Sequence, residues 1–364
     1  MTTEAAGAYE QRRALAAAAL AAHKLDSVLI THLPNIRYLT GFTGSNAALL
    51  LTETSADLFT DPRYTIQAAQ QVSCRVRIAR GPLLERLVIR VAKLRIRRLG
   101  FESTHLRYDQ HALLAERLPA ALKFRPCARF IENFRMVKSE AEIDLIRKSV
   151  ITNSAALERA LASFEPGMRE TAFAAEIDYR SRQLDAEAPA FETIVASGAR
   201  AALPHARPAP VAMAQPGVVL VDMGALQAGY CSDMTRMFHL GKVPPRVASA
   251  YQATLDAQLA AIAAVRAGVT AGDVDRAARK VLKSAGLAAH FVHSTGHGLG
   301  LEIHEAPRVG AGDRTVLQAG MALTVEPGVY FEGEFGIRIE DTVVVTTAGC
   351  EILTPTSKDL RVLP

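Results

Sequence analysis

Two aspartates, Asp222 and Asp233, stand eleven positions apart in the stretch VLVDMGALQAGYCSDMTR, residues 219–236. Apolar residues from Val218 to Val221 precede a soft centre of Gly224, Ala228 and Gly229, and a second apolar run follows. This pattern reads as two strands joined by a turn. A turn centred on Gln227–Ala228 sets Asp222 directly opposite Asp233, with Cβ atoms about 5 Å apart. Like charges so placed destabilise the ladder. A hard divalent cation between them reverses the sign of that effect, because such metals take carboxylate oxygens. The pair therefore predicts a cation and further ligands to complete its shell.

The elements around it supply candidates. Ser139 followed by Glu142 is a capping-box pattern that opens a long amphipathic helix to about Ser163. From there the order is helix Arg169–Leu184, strand Phe191–Ala196 and hairpin Val218–Leu240. The order then repeats: helix Pro244–Ala267, helix Ala271–Ala285, strand His290–His293 and hairpin Met321–Thr346. Two such halves would bring their hairpins together, with a site at the junction. The second hairpin also carries two acids, Glu326 in LTVEPGVY and Glu340 in GIRIEDTVVV, able to face each other across a loop centred near Gly333. Four converging carboxylates carry a formal charge of −4, which two divalent cations balance. A nitrogen ligand is expected from HSTGHGLGLEIHE, which holds three of the ten histidines. Gly296 and Gly298 flank His297 and permit close approach, so His297 is the expected ligand. A lone strand aspartate is ordinarily a solvated residue. Five residues on matched hairpins and a glycine-flanked histidine are not explained that way.

Ahead of this region the chain alternates helix and strand. Helix Glu10–His23 leads to strand Ser27–Thr31, and apolar runs recur at Ala47–Leu51, Ala56–Thr60, Cys74–Ala79 and Arg98–Glu102. Helices are expected at Leu83–Lys93 and Tyr108–Leu118. The boundary falls near Glu132–Val137, giving an α/β domain over residues 1–134 with a mixed sheet and a second domain over 135–364. The chain as a whole is of the α+β class. Its net charge of +5 over 364 residues is small, and the basic residues are scattered, which argues against nucleic-acid binding. The four cysteines form no Cys-x-x-Cys pair and suit reduced thiols in the cytoplasm. Arg12-Arg13 ahead of ALAAAALAA imitates a secretory signal. His23-Lys24 interrupts the run, so a first helix is the expected reading. No stretch reaches the ~18 apolar residues of a membrane span.

The ordered set Asp222, Asp233, His297, Glu326 and Glu340 resembles the dinuclear site of the pita-bread metallopeptidases, the family of aminopeptidase P, prolidase, methionine aminopeptidase and metal-free creatinase. NIRYLTGFTGSNAALLLT and TDPRY resemble the amino-terminal domain shared by aminopeptidase P, prolidase and creatinase. The resemblance implies a creatinase-like first domain and a pita-bread catalytic domain with an internal pseudo-two-fold repeat. It also implies that Asp222 chelates one metal, that His297 and Glu326 bind the other, and that Asp233 and Glu340 bridge. Glu326 would also shuttle a proton. His205, His293 and His304 fit substrate-contacting positions and, as donors, could stabilise the tetrahedral intermediate, and Arg338 could bind substrate or orient a carboxylate ligand or its neighbours. Ala201 and Ala206 stand where relatives often have Ser and Gly.

Hydrolysis of the bond between an N-terminal residue and a following proline is the implied activity. Aminopeptidase P, acting on longer peptides, stands ahead of prolidase, which takes dipeptides. A creatinase-like hydrolase is disfavoured by the full ligand set, and a non-catalytic binding module by the absence of long charged tails. Two divalent ions are implied, manganese first, with cobalt or zinc as alternatives. The expected partners are peptides with proline in the second position, in a cytoplasmic homodimer that binds neither membrane nor nucleic acid.

Overall fold

The computed structural model describes residues 3–364, which divide into two compact units, Met1–Arg135 and Met136–Pro364. The first unit is a six-stranded mixed sheet in the order Arg75–Ile78, Ala56–Thr60, Ala47–Thr52, Ser27–Ile30, Arg98–Glu102, Lys123–Cys127. Ser27–Ile30 runs parallel to Arg98–Glu102 and antiparallel to Ala47–Thr52. Leu29, Leu50 and Leu99 of the sheet pack with Leu87, Val91 and Leu114, which come from helices Leu83–Lys93 and Tyr108–Arg117. The TDPRY motif forms a short turn in which Asp61 caps Arg63 N and pairs with its guanidinium, while Asn46 donates to Asp61.

The second unit carries the repeat. Helices Glu140–Leu161 and Glu170–Gln183 precede strand Ile194–Ser197 and hairpin strands Gly217–Met223 and Met234–Leu240. Helices Pro245–Ala264 and Ala271–Ser284 precede Gly296–Gly298, Ala322–Val325 and Asp341–Val345. In both halves the single strand pairs antiparallel with the first hairpin strand. Ser139 caps the long helix through the expected reciprocal bonds with Glu142. One continuous apolar core joins the halves: Leu220 and Met237 of the first hairpin cluster with Leu323, Ile337 and Val343 of the second. Burial of such side chains contributes roughly 1.5–3 kcal/mol each, and it fixes the two hairpins as one body.

Two expectations change. Residues His290–His293 form no strand. Ala288–His290 is a single tight helical turn and the strand begins at Gly296. The carbonyls of Phe291 and His293 accept from the Arg279 guanidinium, so a helix side chain takes the acceptors a ladder would have used. The first hairpin turns at Ala228 and Gly229, one residue later than expected. Both adopt positive φ, 50° and 83°, as a tight two-residue hairpin turn of matching twist requires. The register then sets Asp222 opposite Thr235, not opposite Asp233.

Candidate metal centre and active site

The shifted register keeps the two aspartates on one face. Asp222 faces Thr235, so Asp233 lies one pair along as the diagonal neighbour, close enough for cross-strand contact. Gly224 permits this. A Cβ there would sit 2.3 Å from the Ser232 carbonyl oxygen, in the backbone just ahead of Asp233. The second hairpin has the expected register. Gly328 pairs with Arg338 on one side and Val325 with Asp341 on the other, so Glu326 and Glu340 face each other around Gly333. Even-numbered residues of this hairpin share a face, which aligns Glu326, Tyr330, Arg338 and Glu340.

Ligand atoms of Asp233, His297 and Glu340 all lie within 4.8 Å of one another. His297 Nε2 is 3.4 Å from Glu326 Oε1 and 3.5 Å from Asp233 Oδ2. These contacts are not ion pairs. Burial, with His304 alongside, pushes the His297 pKa down to about 4, so the ring is neutral near pH 7. Its Nδ1 lies 3.0 Å from the Gly298 carbonyl and donates to it, which leaves a lone pair on Nε2 aimed at carboxylate oxygens. With those acids ionised, acceptor faces acceptor, and a cation resolves that arrangement.

The carboxylates give the same result. Burial raises Asp233 and Glu340 well above the usual carboxylate range, and nearby acids raise them further. Burial pushes Glu326 up to about 8. Asp222 Oδ1 and Glu340 Oε1 are buried without any hydrogen-bond partner. Their other oxygens are held. Thr235 Oγ1 donates to Glu340 Oε2 at 2.7 Å, and Arg338 Nη2 donates to Asp222 Oδ2 at 2.6 Å. Each acid thus presents one satisfied and one bare oxygen. Unpartnered buried oxygens are costly, and divalent cations would satisfy them. The donor set, oxygens with one imidazole, fits such ions.

Around this cluster Arg338 is a hub. Its Nε donates to Thr235 Oγ1 at 3.0 Å, and its Nη1 donates to Tyr330 Oη at 2.7 Å and to the Pro204 carbonyl at 3.0 Å. The Pro204 bond anchors the loop that carries His205. Glu170 pins the same loop, accepting from Ser197, Arg200 and Ala209. Ala201 and Ala206 are buried in the core of this unit, so both departures are accommodated as packing methyls. His205 and His304 are exposed at the rim. The His304 ring meets that of His297 at 4.4 Å between centroids, and burial and His205 lower its pKa. His293 has both ring nitrogens engaged. Nδ1 donates to the Ser294 carbonyl at 2.8 Å, and Tyr330 Oη donates to Nε2 at 2.9 Å. A chain Arg338–Tyr330–His293 results.

Three residues escaped the sequence reading. Tyr330 and Thr235 share the strand parity of Glu326 and Asp233, a period-two signal present in the sequence. Arg308 gave no signal, because it depends on a strand pairing. It lies directly opposite His297 across the ladder and is exposed, and among the described residues it has no acidic partner.

Four carboxylates from the two matched hairpins and the imidazole of His297 make a donor set able to hold divalent cations. Residues 144–347 match metallopeptidase family M24 and residues 12–137 match the creatinase/prolidase N-terminal domain. The chain belongs to metallopeptidase family M24 and is a metallo-exopeptidase with a creatinase-like first domain and a pita-bread second domain. Peptidases of this family use dinuclear divalent metals. An Xaa-Pro dipeptidase of Pyrococcus horikoshii is 35% identical over 340 residues, covering 93% of this chain and 95% of its own. The structure of an Xaa-Pro dipeptidase from Bacillus anthracis superposes with a TM-score of 0.95 at 34% identity, covering 98% of this chain and 100% of that one. An X-Pro aminopeptidase from Thermotoga maritima matches with a TM-score of 0.88 at 35% identity, covering 93% and 98%. No helix among the described residues is long and apolar enough to cross a membrane.

Proposed function

We propose that this chain hydrolyses the Xaa-Pro bond of short peptides, with dipeptides as its preferred substrates. Asp222, Asp233, His297, Glu326 and Glu340 would hold two divalent ions, with manganese as the occupant. When bound, the ions acidify a water toward neutral pH and polarise the scissile carbonyl. The chain supplies the rest. Thr235 and Arg338 hold one oxygen each of Glu340 and Asp222, so that the bare oxygens turn inward. Glu326 passes a proton from the water to the prolyl nitrogen as it leaves. His205 and His304, exposed at the rim, donate to the substrate carbonyl. His293 steadies Tyr330 and through it Arg338.

The observation that carries the length preference is Arg308, an exposed cation opposite His297 that has no acidic partner among the described residues. In a dipeptide the proline carboxylate lies one residue from the scissile bond, within reach of such a guanidinium. This order differs from the one the first-domain motifs suggest. Arg308 and the Xaa-Pro dipeptidases among the relatives are the reason. The T. maritima match keeps aminopeptidase P as the second reading. The catalytic domain is taken as residues 135–364, a homodimer as the assembly, and the cytoplasm as the compartment, where the cysteines Cys74, Cys127, Cys231 and Cys350 stay reduced thiols.

The test is a panel of Xaa-Pro and Xaa-Pro-Xaa peptides with wild type and Arg308→Leu. The expected result is a higher kcat/KM on dipeptides, and a KM for dipeptides that rises in the variant at nearly constant kcat. Tripeptides cleaved as well as dipeptides, with Arg308→Leu neutral on both, would reverse the order.

A further inference from the structure

The segment that leads into the second unit holds a buried ion pair whose place in the fold calls for a reason. Lys138 Nζ lies 2.9 Å from Glu305 Oε2, with the two side chains only 1% and 6% exposed. Taking both charges from water is expensive, and an apolar pair of similar volume would often be neutral or better for stability. The pair is therefore poorly explained as a device for stability alone.

Its location gives another reason. Glu305 is the residue after His304 and closes the irregular loop Leu299–His304. Its second oxygen accepts from the Glu302 backbone N–H at 3.2 Å, so the carboxylate grips the loop from inside. Gly300 leaves room for that grip. A Cβ there would meet the Glu305 carboxylate at 2.8 to 3.0 Å. The loop is also tied to the first hairpin, because Gly300 O accepts from Cys231 N at 2.7 Å.

The lysine end is equally fixed. Lys138 N donates to Gly320 O at 2.9 Å, and Val137 bridges Met321 at the start of the second hairpin. Gly320 has φ of +89°, and a Cβ there would come within 2.9 Å of the Lys138 carbonyl oxygen. One residue on, Ser139 caps the long helix, whose Glu142 accepts from Tyr230 Oη on the first hairpin at 2.9 Å. The stretch from Val137 to Glu142 is thus joined to both acid-bearing hairpins, and Lys138 extends from it to the histidine loop.

We propose that Lys138 is a positioning residue, which acts through Glu305 to hold the His304 loop at its distance from the metal-ligand cluster. Lys138 touches neither substrate nor metal. It fixes the backbone from which His304 reaches the substrate carbonyl. This rests on the reading above that His304 contacts substrate.

The experiment is a double-mutant cycle on kcat/KM for an Xaa-Pro dipeptide, using Lys138→Met, His304→Ala and the double variant, all loaded with Mn²⁺. If Lys138 acts through His304, Lys138→Met lowers kcat/KM about tenfold or more in the wild-type background, and by less than about twofold once His304 is gone. The Mn²⁺ affinity of Lys138→Met stays at the wild-type value, which separates loop positioning from damage to the ligand cluster. If Lys138→Met does not yield folded protein, Glu305→Gln keeps the volume and an acceptor for Lys138 Nζ, and the same cycle with it is expected to show the same coupling. Fully additive losses, or a Lys138→Met variant with wild-type kcat/KM beside an impaired His304→Ala, overturn the proposal alone. A fully active His304→Ala overturns the reading of His304 and the proposal with it.

Discussion

Removal of the metals should make stability depend on pH in a defined direction. In the metal-free protein burial pushes Glu326 up to about 8, against 4.5 for an ordinary glutamate. Between these values the folded state holds a proton that the unfolded chain has lost. Stability therefore falls as pH rises through the window, by about 1.4 kcal/mol per pH unit for one proton. Asp233 and Glu340 are shifted the same way and add to the slope. The histidines act elsewhere. His293 and His297 are pushed down to about 4 from 6.5, so they cost stability only as pH falls below 6.5. That leaves pH 6.5 to 8 to the carboxylates. Glu326 alone accounts for about 2 kcal/mol across it, which is about 4–8 °C in Tm at roughly 2–4 °C per kcal/mol for a unit of this size. Metal-bound carboxylates have no proton to lose there, so the loaded protein should be level. Melting followed by circular dichroism at pH 6.5 and 8, with and without Mn²⁺, measures the difference, and Glu326→Gln should reduce the metal-free slope. A metal-free Tm that stays level or rises over this window would refute the reasoning.

Asp233→Asn removes one carboxylate charge from the proposed ligand set. Its kcat should fall by at least roughly a thousandfold, about 4 kcal/mol of barrier, and a calorimetric Mn²⁺ titration should find one tight site where wild type has two. Thr235→Val keeps the shape but removes the hydroxyl that holds Glu340 Oε2 and receives Arg338 Nε. Mn²⁺ affinity in the same titration should weaken by about 10–100-fold, with Thr235→Ser close to wild type. An unchanged titration curve would remove Thr235 from the account.

The five proposed ligands stand out in the sequence because acids recur on two segments of matching element order and one histidine is flanked by glycines. The second hairpin was legible to the residue: Gly333 marks its turn, and the register follows on both sides. The first was misread by one residue at the turn, because Ala228 adopts positive φ and alanine does not advertise that conformation. The lost strand at His290–His293 depends on Arg279, a helix residue whose reach to two carbonyls no local pattern encodes. His293 is expected from the resemblance to contact substrate, and its bond to Tyr330 is not visible in the sequence. Its occupation by Tyr330 depends on a tertiary contact between segments 37 residues apart. The buried cation Lys138 is in the same position. Sequence shows the charge, and only the fold shows what it holds.

The central claim is that these five side chains hold two metal ions that cleave an Xaa-Pro bond. The most direct test is to strip the protein with chelator and titrate Mn²⁺ back while following hydrolysis of an Xaa-Pro dipeptide. The account predicts no turnover in the stripped protein and recovery that levels off near two equivalents per chain. Undiminished hydrolysis by the stripped protein would contradict it.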